Sequence, residues 1–212
     1  MSRLADILLL SVVLTNFTVL GTTRLSTCIR AVAVQGFLLG VLPVVLHQGV
    51  GLSLIGLSIG TVIIKAVVLP WFLLWAIREA SVRREIEPLV GYSTSLLLGA
   101  AGLAIAFAIA RRLPLPEPVP ALLVPVAMST VIIGLLVLTT RVKAITQVVG
   151  YLMRENGIYG FGLTLAERVP LLVELGVLLD IFVGVFVMGI VVFHINREFD
   201  SLSSAHLTEL KD

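Results

Sequence analysis

The chain has 212 residues, 58% of them hydrophobic and 13% charged, with a formal net charge of +2. A soluble domain carries about 25% charged residues, so the composition excludes a soluble globular protein. The small positive balance, with no basic stripe, excludes a nucleic-acid partner. One cysteine, Cys28, and three scattered histidines, His47, His194 and His206, exclude an internal disulfide and a self-contained metal or iron–sulfur centre.

The chain reads as all-α, a polytopic integral membrane protein. A membrane crossing needs about 20 apolar residues, and seven segments qualify as predicted spans. The first, Leu4–Leu20, follows Arg3 as a signal peptide would. However, Asp6 interrupts that start and no A-x-A site follows, so an uncleaved span is expected. After "GTTRLST" comes Ile29–Leu46, and then Leu52–Ile77, which holds Lys65 and Pro70. "REASVRREIEP" leads to Val90–Ala110, and "RRLPLPEP" leads to Val119–Leu138, which holds Pro125. The sixth span, Ala144–Leu165, is interrupted by "GYLMRENGIYGF". "AERVP" precedes the seventh, Leu171–Ile195, with Glu174 near its start and Asp180 further in. Prolines 88, 114, 116, 118 and 170 stand where spans begin and a missing N–H costs least. Pro70 and Pro125 are expected to kink their spans.

Four units are expected: residues 1–89 with three spans, a connecting span and loop over 90–117, a second three-span unit over 118–197, and a tail over 198–212. "TTR" precedes the second span at Thr22–Arg24 and the sixth at Thr139–Arg141, the pattern of a parallel three-helix internal repeat. In that register Gln35 falls within a turn of Glu155, and Lys65 and Asp180 lie at similar depth. Loop basic residues divide four against nine. Arg3, Arg111, Arg112 and Arg168 lie on one side. Arg24, Arg30, Arg78, Arg83, Arg84, Arg141, Lys143, Arg197 and Lys211 lie on the other. The richer side is cytoplasmic, which puts the N-terminus outside and the tail inside a prokaryotic cell membrane.

Lys65, Arg154, Glu155 and Asp180 fall within spans, each at a cost of at least about 2.5–3.5 kcal/mol at a helix centre. Arg154 and Glu155 leave one helix about 100° apart, so each needs its own partner. Tyr151 and Tyr159, four residues to either side, share the Glu155 face, and Asn156-Gly157 loosens or tightens the helix there. Intramembrane carboxylates and lysines mark proton relays and ion pathways, because burial brings both toward neutral titration. The relay residues are therefore Glu155, Asp180 and Lys65, with Arg154, Tyr151, Tyr159, Asn156, Gln35 and Glu174 in support. No catalytic, cofactor-binding or metal residue is expected in this chain.

The run from Gln147 to Ile195, with "GYLMRENG", "PLLVELG" and then Asp180, resembles hydrogenase-4 component E, as do "IIKAVVLPW" and the ending "LTELK". That resemblance implies a subunit in the membrane arm of group 4 [NiFe] hydrogenase-like complexes. Such a subunit would couple electron transfer to proton or sodium translocation without being catalytic alone. Its partners would be soluble hydrogenase-like subunits, holding iron–sulfur clusters with or without a nickel–iron site, and antiporter-like membrane subunits. The last three spans of the family resemble the K-type subunit of respiratory complex I, whose two glutamates lie on a proton axis. Asp180 takes the place of the second. Leu152 stands at the place of the first, and Glu155 comes one turn later. Two other readings compete: a scaffold whose charges fix helix order, and a stand-alone secondary transporter.

Overall fold

Hydrocarbon cannot satisfy backbone N–H and C=O groups, so a chain of this composition crosses it as helices that bond internally. The computed structural model describes residues 2–46, 52–79, 89–113 and 120–164, together with Gly189. Its helices are α1 (Ser2–Gly21), α2 (Leu25–Leu46), α3 (Leu52–Val62), a π-helical segment (Ile63–Val68), α4 (Leu69–Glu79), α5 (Tyr92–Ala110), α6 (Leu123–Thr140) and α7 (Ala144–Gly162). The only described strand-like residues are isolated bridge positions at Arg24 and Arg141. Since α3, the π segment and α4 run on without a break, they form one crossing.

Five stretches are long and apolar enough to cross a membrane: Arg3–Gly21, Leu25–Leu46, Ser58–Trp75, Tyr92–Ala110 and Leu123–Thr140. They correspond to the first five expected spans. α7 has 19 residues, as α5 has, but carries Arg154 and Glu155 in its middle. The seventh expected span, with Glu174 and Asp180, lies outside the described residues apart from Gly189, and so does the tail over 198–212. Large apolar side chains such as Leu14, Ile59, Trp71 and Leu97 face outward, as lipid-facing residues would.

The prolines divide differently from expectation. Pro125 is the third residue of α6, because Pro120–Leu122 is non-helical and the helix begins only at Leu123. The N–H missing there would have had no intrahelical partner, so the expected kink has no basis. Pro43, near the end of α2, is the proline truly inside that helix. Pro70 stands just after the π segment, and Leu69 N–H reaches back five residues to Ile64 O. A proline ring crowds the carbonyl four residues before it. Widening the preceding turn is one way to relieve that crowding.

Packing relies on glycine where backbones must touch. α6 and α7 make the most extensive contact in the described bundle. A Cβ on Gly134 would run into Arg154 N, and one on Gly157 would lie 2.6 Å from Val131 N. On α2, Gly36 and Gly40 form a GxxxG pair. Cβ atoms there would come within 2.7 Å of Lys65 Cβ and 2.6 Å of Val62 Cγ2. Small residues at such spacing let helices approach closely in a bilayer, where no hydrophobic effect drives them together.

The apolar interior has two parts. One contains Leu20, Leu25, Ile29, Leu73, Ile133 and Met153. The other contains Leu9, Val12, Leu39, Leu42, Leu123 and Tyr159. By position along the helices, a polar layer built from Asn16, Gln35, Lys65, Thr130 and Asn156 falls between them, and all five residues are buried.

Candidate functional site

The polar layer is assembled at mid-depth. Gln35 is ten residues into α2, about 15 Å along its axis, and Asn156 is twelve residues into α7. The GxxxG face of α2 admits the π segment, and Lys65, 4% exposed, is thereby brought into the bundle.

Five side-chain hydrogen bonds then run from helix to helix. Lys65 Nζ donates to Asn156 Oδ1 at 3.2 Å. Asn156 Nδ2 donates to Gln35 Oε1 at 3.1 Å. Gln35 Nε2 donates to Asn16 Oδ1 at 2.8 Å and to Thr15 Oγ1 at 3.2 Å. Asn16 Nδ2 donates to Thr130 Oγ1 at 2.8 Å, and Thr130 donates to Val126 O at 2.8 Å. Every link donates away from Lys65. An ammonium has three donors and no acceptor, so Asn156 must turn its oxygen toward it, and each amide in turn orders the next. The aligned amides point their carbonyl ends back toward Lys65. The Tyr159 ring adds a cation–π contact, its centroid 5.0 Å from Nζ.

Each sequence-predicted residue within the described segments has a definite place. Glu155, 4% exposed, adjoins Asn156 in α7. Arg154 is half-buried and lies over the Tyr151 ring, 4.4 Å from its centroid, one turn before it. Tyr159 lies against Lys65, and Gln35 joins Asn156 to α1. Lys65, Asn156 and Gln35 are thus brought together, with Tyr159 beside them and Glu155 next in the chain. Asp180 and Glu174 lie outside the described residues. Sequence reasoning missed Asn16, Thr130 and Thr15. A lone asparagine midway along an apolar span was the available signal for Asn16. A helical threonine carries almost none.

A second polar cluster closes one end of the bundle. Arg141, 2% exposed, donates Nη2 to Leu20 O at 3.2 Å, and its guanidinium carbon lies 5.4 Å from the Tyr92 ring centroid. Leu20 is in the last turn of α1, where carbonyls lack helical partners and a cation is favoured. Burial lowers the Arg141 pKa from the usual arginine range, with Tyr92 opposing the shift. A guanidinium nonetheless keeps its proton in proteins. The matching Arg24 of the first "TTR" is exposed, so the two motifs differ in surroundings. Among the described residues, no group of three His, Cys, Asp or Glu side chains is placed to hold a metal ion.

The chain is 37% identical over 216 aligned residues to the uncharacterised protein Rv0085 of Mycobacterium tuberculosis, covering 100% of this chain and 97% of that one. It is 29% identical over 157 residues to hydrogenase-4 component E of Escherichia coli K12, covering 73% of this chain and 72% of that protein. The same figures hold for hydrogenase-4 component E of Shigella flexneri. No protein-family model matches the chain, and no solved structure matches it significantly.

Proposed function

We propose, from the premise that the chain belongs to the family of the uncharacterised mycobacterial protein Rv0085, that it is a membrane-arm subunit of an energy-converting, hydrogenase-like oxidoreductase. Its similarity to hydrogenase-4 component E supports the assembly, and its helices support the membrane location. Electron transfer belongs to partner subunits with iron–sulfur clusters, with or without a nickel–iron site. This chain contributes seven spans, the last three resembling a complex I K-type subunit, with the N-terminus outside and the tail cytoplasmic. Its task is to couple electron transfer to movement of protons, or of sodium ions, through Glu155, Asp180 and Lys65.

One observation carries the relay. The 3.2 Å bond from Lys65 to Asn156 brings a buried cation to the residue adjoining a buried carboxylate. A change in the charge of either group alters the field at the other, in surroundings that screen it weakly. Arg154, held over Tyr151, adjusts that field and carries no proton itself.

Two measurements test the reading. The tagged chain, solubilised from its own membrane, is expected to bring down hydrogenase-like and antiporter-like subunits. Purification alone with transport activity intact would replace the assembly by a stand-alone transporter. In the reconstituted complex, Glu155→Gln keeps shape and loses titration. Normal assembly, normal electron transfer with an uncoupler and at least about a hundredfold weaker ion pumping are expected, the low end of the range associated with losing one acid–base group. Asp180→Asn should match it, and the double variant should be little worse than either. Wild-type pumping in Glu155→Gln would leave a scaffold.

A further inference from the structure

α7 is covered almost all round. From Ile145 to Phe161 every residue is buried except Gln147, Tyr151, Arg154, Ile158 and Phe161. Their spacings are four, three, four and three. A repeat averaging 3.5 residues is the seam along which one helix packs against another in a left-handed pair. α5 differs. It turns Leu97, Leu98, Ile105 and Ile109 outward, a broad apolar face to which lipid chains are equivalent surroundings.

A cation stands in the middle of the α7 seam. Arg154 is ten residues into the helix and eight from its end, about 15 and 12 Å along the axis. Its guanidinium lies over the Tyr151 ring, and its buried Nε has no hydrogen-bond partner. Among the described residues the guanidinium makes no hydrogen bond or ion pair. Glu155 leaves the helix about 100° away, on the buried side. Two occupants of the seam fail on charge. Lipid chains offer the guanidinium no acceptor. A second copy docked by the same seam, about a two-fold axis along the membrane normal, would set Arg154 against Arg154 at one depth, and like charges repel.

We propose that the seam receives a transmembrane helix of a neighbouring membrane subunit, which sets a carboxylate against Arg154. A guanidinium's planar fork takes a carboxylate through two parallel hydrogen bonds. Charge then fixes the depth of the incoming helix, and Ile158 and Phe161 supply the apolar part of its contact. A helix without an acid at that depth would leave a cation unmet in an apolar span, which is costly, so the seam selects its partner. That partner rests on the assembly proposed above. The seam and its charge do not.

Photo-cross-linking identifies the occupant. The tagged chain carries p-benzoyl-phenylalanine in place of Ile158, Phe161, Leu97 or Ile105, and the complex is irradiated in its own membrane. Positions 158 and 161 are expected to join a span of another membrane subunit that holds an Asp or Glu within about two turns of the joined residue. Cross-links at 97 and 105 with none at 158 and 161 overturn the seam. So do cross-links from 158 and 161 to residues 165–195 of the same chain, to a second copy or to lipid alone, and so does a partner span without an acid. A wild-type chain that purifies with no other membrane subunit overturns the assembly and the seam together. An intact assembly with cross-links elsewhere overturns the seam alone. Charge is tested in the same complex. Arg154→Met is expected to retain at least about tenfold less of the cross-linked subunit, the direction set by removing one member of a buried charge pair, and Arg154→Lys to recover part of it. Equal retention in wild type and Arg154→Met overturns the pair. The cross-linking arm keeps Arg154 in place, so it stands where Arg154→Met fails to accumulate.

Discussion

Lys65 sets the direction of everything bonded to it. Each amide in the row has a donor and an acceptor, so Asn156, Gln35 and Asn16 could point either way. The donor-only ammonium makes the choice. Lys65→Met is therefore expected to assemble and to lose ion pumping, with electron transfer in the uncoupled state retained. Lys65→Arg should recover little, because a guanidinium does not release its proton. Full pumping by assembled Lys65→Met would reduce the lysine to packing. Asn156 gives a sharper comparison. Asn156→Leu removes the acceptor for Lys65 and the donor to Gln35 Oε1, and thermal unfolding should show about 1–3 kcal/mol of lost stability. Asn156→Asp keeps the acceptor, and rotation of Gln35 and Asn16 lets the row run in reverse. It should lose less than Asn156→Leu; an equal loss would show that the row cannot turn. The charged members of this site were legible in the sequence, since an ionisable residue in an apolar span is costly wherever it points. Asn16 and Thr130 were not, because uncharged polar residues are tolerated in spans and nothing in their spacing shows which neighbour they meet.

At the scale of helices, close contact falls on a few glycines, and they need not be equivalent. A Cβ at Gly157 would meet Val131 N at 2.6 Å and Ala127 O at 2.8 Å, both backbone atoms that cannot rotate away. At Gly160 the nearest atom is Ala127 Cβ at 3.4 Å, an ordinary contact. Gly157→Ala should thus force α6 and α7 apart and cost about 1–3 kcal/mol, moving Asn156 off Lys65. Gly160→Ala should be nearly neutral. Thermal unfolding of the purified chain checks the contrast, and equal shifts would show that the α6–α7 contact is softer than its geometry. Helix existence was readable from hydropathy, which is why the first five expected spans reappear with ends moved by a few residues. The π segment was not, because Pro70 announces a disturbance without saying whether it becomes a kink or a widened turn. Pro125 misled for a related reason: its effect depends on where α6 starts, and hydropathy blurs starts.

For the whole molecule, the connections at one end of the bundle are held together. Arg141 joins the end of α6 to the end of α1, and Leu89 N–H donates to Thr140 O at 2.9 Å just before α5 begins. Arg24, Arg141 and Lys143 therefore share one face of the protein. On the proposed seven-span topology the loop charges would count nine basic residues on this side and four on the other, and such a bias sets orientation during insertion. We therefore predict that this face is cytoplasmic and that Arg111–Leu113, at the far end of α5, are outside. Thr23 and Arg112 are both exposed, so each can carry a reporter without disturbing the interior, and buried Cys28 can be replaced by alanine. In intact cells, a membrane-impermeant thiol reagent is expected to label Arg112→Cys and to miss Thr23→Cys until the membrane is opened. Labelling of Thr23→Cys from outside, with Arg112→Cys protected, would reverse the molecule in the membrane.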